Sequence, residues 1–84
     1  MRYLRVIWDL EDDADGNVQH IAENDVTPEE VEEVLQTADD AQFSRSSGRP
    51  LVFGYTDAGR LLAVIFEWVD EDTIWPVTAY EPEE

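Results

Sequence analysis

The chain has no cysteine and no lysine, a single histidine, and no apolar run near the roughly 18 residues that a membrane span needs. Without cysteine there is no disulfide, no thiolate nucleophile and no thiolate metal site, which suits a reducing compartment. The opening Met1-Arg2-Tyr3-Leu4-Arg5 has no apolar stretch leading to a small-residue cleavage site. The expectation is an untargeted, cytoplasmic protein with no membrane partner. Positive charge is scarce as well: five arginines face 21 acids, for a formal net charge of -16. Thirteen acids lie between Val6 and Ser44 and seven between Leu61 and Glu84, with no cation among them. A field of that sign repels phosphate backbones and anionic bilayers, which argues against unaided nucleic-acid binding and favours a basic protein as partner.

What is present reads as one folded domain over residues 1–84. With 43% hydrophobic residues the charge does not place the chain in the disordered class. Tyr3 to Trp8 alternates as a first strand, and Asp9 to Gly16 as an acidic loop. Val18, Ile21 and Ala22 then follow helical spacing from Asn17 to about Glu23. Val26-Thr27-Pro28-Glu29-Glu30 is the clearest local signal. Thr27 is an N-cap, Pro28 suits the first helical position, Glu30 completes a capping box, and Val26 with Val31 makes a hydrophobic staple. The spacing predicts an amphipathic helix from Thr27 to about Thr37. After a polar stretch, Leu51–Tyr55, Leu61–Val69 and Ile74–Tyr80 read as a meander, with Gly59 in the hairpin loop. Leu61–Phe66 is apolar on both faces, so it is expected at the centre, and Pro76 puts an edge or a bulge in the last strand. The expected fold class is α+β, an N-terminal strand and two helices packed on an antiparallel three- to four-stranded sheet.

Several constellations invite chemistry. Glu11 to Ala22 partly follows a calcium loop but puts alanine where a bidentate glutamate is required, leaving an ordinary acidic turn as the simpler reading. His20 and Glu23 lie one helical turn apart, and two ligands do not hold zinc. Trp8, Trp68 and Trp75 read as core packing rather than base-stacking platforms. No cofactor is expected. Three of the five arginines, Arg45, Arg49 and Arg60, fall within 16 residues that hold one acid, Asp57, making this the one candidate anion site. Surface ion pairing with nearby acids is the bland alternative, and Arg49 and Arg60 fall near opposite ends of the strand pair.

Trp8-Asp9, Val26-Thr27-Pro28-Glu29-Glu30-Val31, Arg49, and Phe53-Gly54-Tyr55-Thr56-Asp57-Ala58-Gly59-Arg60-Leu61-Leu62 together resemble the BrnT-like toxins of bacterial type II toxin-antitoxin modules. The resemblance covers nearly the whole chain. It implies a RelE-like fold, a ribonuclease with Arg49 and Arg60 on the scissile phosphate, and a basic protein partner in the role of cognate antitoxin. The departures fall on the catalytic side. Where the family carries Lys-His-Gly the chain reads Glu23-Asn24-Asp25; where its last strand reads Ser-Ala-Arg the chain reads Thr78-Ala79-Tyr80; and an acidic end replaces a basic tail. Cleavage through a 2'-hydroxyl needs cations on the developing phosphorane and a proton shuttle. Arg49 and Arg60 are the matched cations, and Tyr80 or Glu67 is left to move a proton. The reading is a protein-binding member with its nuclease chemistry weakened or lost, the alternative an active ribonuclease toxin.

Overall fold

The computed structural model describes residues 3, 5–38, 41–45 and 48–82. Leu4 of the expected first strand, Ser46 and Ser47 of the arginine stretch, and the terminal Glu83 and Glu84 lie outside the described residues. The order is β1 (Arg5–Val6), α1 (Asn17–Ala22), α2 (Pro28–Thr37), β2 (Gln42–Phe43), β3 (Pro50–Tyr55), β4 (Leu61–Asp70) and β5 (Thr73–Tyr80). The strands form one sheet in the order β1-β5-β4-β3-β2. This is the α+β arrangement expected, with two helices on one face of a sheet.

The second helix begins as its sequence dictates. The Thr27 hydroxyl accepts the Glu30 N–H, and the Glu30 carboxylate accepts the Thr27 N–H. Val26 and Val31 are both buried. The α2 stripe of Val31, Val34 and Leu35 is fully buried against β3 and β4, each such side chain contributing about 1.5–3 kcal/mol of burial. Its floor is the helix-facing side of the sheet, Val52, Leu62, Val64, Phe66, Ile74 and Ala79. β4 is central, paired with β3 and β5. Gly59 supplies the positive φ of the hairpin, 86°. The register slips between Ile65 and Phe66 so that Val77 faces no β4 partner, placing a bulge beside Pro76.

Four expectations are corrected in detail. The sheet has five strands rather than three or four, and it is mixed, because β1 runs parallel to β5. The first strand shrinks to Arg5–Val6 because the Asn17 side chain takes over the ladder beyond it. Asn17 Nδ2 donates to the Ile7 carbonyl at 3.0 Å and Asn17 Oδ1 accepts the Asp9 N–H at 2.9 Å. β2 forms inside the stretch read as polar, in register with Pro50 and Leu51. The tryptophans are not core residues in the full sense. Trp8 packs half-buried against the core with its indole N–H on Glu32, Trp75 is half-buried, and Trp68 is 40% exposed with its ring edge-on to Phe66.

Candidate functional site

Arg60 is the best-connected charge among the described residues. It leaves the hairpin on the helix side of the sheet, where Nη1 donates to the Asp25 carbonyl at 2.7 Å and pairs with the Glu30 carboxylate at 3.1 Å. Its Nε pairs with Glu81. These partners join the α1–α2 turn, the first turn of α2, the hairpin and the end of β5. Burial would raise the Glu30 carboxyl, but the Thr27 amide and the Arg60 guanidinium outweigh it and hold Glu30 below the ordinary carboxylate range. The same carboxylates, Glu81 above all, push Arg60 further up. Side chains of Arg60 and Glu30 are each 24% exposed, so the pair is partly shielded from water.

The other two predicted site residues lie elsewhere. Arg49 stands at the start of β3, where its Nε meets Glu67 Oε1 of β4 at 2.8 Å. Tyr80 is half-buried on β5, in register with Ala63 and, through it, with Phe53. Strand alternation puts Tyr80 and Arg49 on the face away from the helices and Arg60 on the helix side. Arg49 precedes Phe53 by four residues, about 13 Å along the strand at ~3.3 Å per residue, with two strand spacings still to cross to Tyr80. The structure does not bring Arg49, Arg60 and Tyr80 together. Arg45 is exposed in the turn between β2 and β3.

The face away from the helices is the feature that sequence reading missed. In register across the sheet it carries Leu51–Ile65–Thr78, Phe53–Ala63–Tyr80, Tyr55–Leu61 and Glu67–Trp75. No described element lies over it. Phe53 is 41% and Tyr55 62% exposed, whereas Ala63 between Phe53 and Tyr80 is fully buried by its large neighbours. Glu67, neutralised by Arg49, is the charged residue among these positions. The apolar run Leu61–Phe66 was the available signal, since a strand apolar on both faces needs cover on both.

The remaining candidates have structural roles. Asp13 closes the acidic loop by accepting the Asp15 N–H, and His20 meets Glu23 at 3.9 Å on the exposed side of α1. No cluster of three or more histidine, aspartate or glutamate side chains with metal-holding geometry occurs among the described residues. No helix among them is long and apolar enough to cross a membrane.

Fold and site together define a class: a small α+β domain whose helices cover one face of a mixed sheet and leave an aromatic face open. No protein-family model, no curated protein and no solved structure matches this chain.

Proposed function

We propose that this chain is a protein-binding domain, related to the BrnT-like toxins of toxin-antitoxin modules, with its ribonuclease chemistry weakened or lost. It would work in the bacterial cytoplasm and take a basic protein, an antitoxin-like component, as partner. The observation that carries the reading is the open aromatic face of the sheet, in a chain of net charge -16. An exposed apolar patch beside charged surroundings marks an interaction surface, and the overall field selects cationic partners.

The geometry around the matched arginines supports the second half of the proposal. Cations that stabilise a phosphorane must be aimed at the place where its charge develops. Arg60 is instead engaged by two carboxylates and a backbone carbonyl, and Arg49 by Glu67 on the other face. Two of the positions that depart from the family pattern hold structural contacts here. Asn24 donates to the Ala79 carbonyl of β5, and Asp25 carries Arg60 on its own carbonyl. Asp25, at the place of the family's glycine, has a φ of 63°, a left-handed conformation that glycine adopts most readily and aspartate tolerates.

The purified chain, incubated alone with a naked transcript at moderate ionic strength, is expected to leave it intact. Coexpressed with the product of the neighbouring reading frame, it is expected to elute as a stable complex. Site-specific cleavage that Arg60→Ala abolishes would establish the ribonuclease reading instead.

A further inference from the structure

The two edges of the sheet are finished differently. Beyond the two-residue β1, the outward carbonyls of β5 are taken by side chains: Asn17 Nδ2 donates to Pro76 at 3.0 Å and Asn24 Nδ2 to Ala79 at 3.1 Å. Pro76 has no N–H to offer. Side chains thus cap two carbonyls of that edge, and proline removes one of its donors. On the opposite edge, β2 pairs only with Pro50 and Leu51. The Thr56 N–H donates to the Arg60 carbonyl at 2.9 Å, which marks that pair as hydrogen-bonded. The antiparallel alternation then aims the Val52 and Gly54 groups at β4 and those of Phe53 and Tyr55 outward. Among the described residues nothing pairs with those outward N–H and C=O groups. An edge of this kind is a template for another strand.

Space is present where that strand would lie. A cleft of about 410 Å³, lined by Thr37, Ala38, Phe53, Gly54, Tyr55 and Leu61, runs along the open edge. One wall is aromatic. The other is the C-terminal end of α2, which has no basic residue in its last turn. A helix C-terminus carries partial negative charge and favours a cation. Gly54 lets the C-terminal end of α2 sit close to this edge, since a Cβ there would stand 3.0 Å from Val34 Cγ1.

We propose that the open edge of β3 at Phe53–Tyr55 takes up an extended segment of a cationic partner as an additional strand. Alternate residues of that segment are apolar and face Phe53 and Tyr55; the intervening lysines or arginines face the C-terminus of α2. A second copy of the chain is disfavoured as the occupant, because pairing β3 with β3 would press two bodies of charge -16 together. The inference rests on the protein-binding reading above and specifies how and where the partner docks.

The probe is a short acetylated and amidated peptide of alternating lysine and valine, titrated into the full chain and followed by amide exchange and by fluorescence. Binding is expected with new protection at the Phe53 and Tyr55 amides. Methylating the peptide's backbone nitrogens, or substituting Tyr55→Pro, is expected to weaken binding about 10-fold or more by removing edge hydrogen bonds. Replacing the lysines with glutamate is expected to weaken it similarly at low salt, less at high salt. If Tyr55→Pro does not fold, the methylated peptide asks the same question of the unaltered protein. Binding that survives methylation but is lost in Tyr80→Ser would place the partner on the open face and overturn the edge inference alone. Failure of the peptide to bind, while the neighbouring frame's product still forms a complex, would do the same. Failure of both would overturn the protein-binding reading. Amide protection that grows with protein concentration without peptide would make a second copy the occupant and overturn the cationic one.

Discussion

Asn17 holds more of this structure together than its place in the sequence suggests. It is 2% exposed, and its side chain accepts from the Asp9 N–H and donates to the Ile7 and Pro76 carbonyls. Its own N–H rests on the Asp9 carboxylate at 2.9 Å. Asn17→Ala would leave two carbonyls and an amide without partners in a largely buried place, each costing about 1–3 kcal/mol where water cannot reach. A loss of about 2–4 kcal/mol is expected in urea unfolding, large against the 5–15 kcal/mol typical of a whole domain. Sequence reading saw Asn17 only as the start of a short helix, because its partners lie 8 to 59 residues away. The arginines teach the same lesson. Arg49 and Arg60 stood out as a cationic stretch, yet Glu67, Glu30 and Glu81, which occupy them, are remote in sequence.

At the scale of elements, α2 was readable almost to the residue, since its cap, proline, staple and apolar stripe are all local. Its first turn also sets a pH dependence. Glu30 titrates below its ordinary value in the folded chain, so the stability it contributes is present above the unfolded carboxylate range and is lost as pH falls through the folded value. Glu30→Gln is expected to unfold at a lower temperature than the parent at neutral pH, with the gap closing below about pH 4. Melting curves of the two proteins from pH 7 to pH 2.5 check it, and their difference cancels the titration of the other acids. The two-residue strands were not legible. A strand of two residues has no period to detect, and β1 and β2 exist because β5 and β3 offer them edges.

The whole molecule measures about 31 × 30 × 26 Å. Screening length is about 30 Å at 0.01 M salt and about 3 Å at 1 M, so the acids repel across the entire body in the first case and only near neighbours in the second. Thermal stability is therefore expected to rise by several degrees between those salt concentrations, with sodium chloride as effective as potassium chloride if screening is the cause. Arg49→Glu, which turns an ion pair into a like-charge pair and makes the net charge more negative, is expected to steepen the salt dependence; an unchanged slope would mean that charge repulsion does not set it.

The amino-acid sequence by itself determined what is short-ranged or summed over the chain: the capped helix, the glycine turn, the apolar central strand, the fold class and the sign of the field. Tertiary structure alone decided which carboxylates neutralise which arginines, which sheet edge has carbonyls capped by asparagines, and that no described helix covers one apolar face. Those outcomes depend on distances between residues far apart in the chain, and a distance of that kind exists only after the backbone has closed.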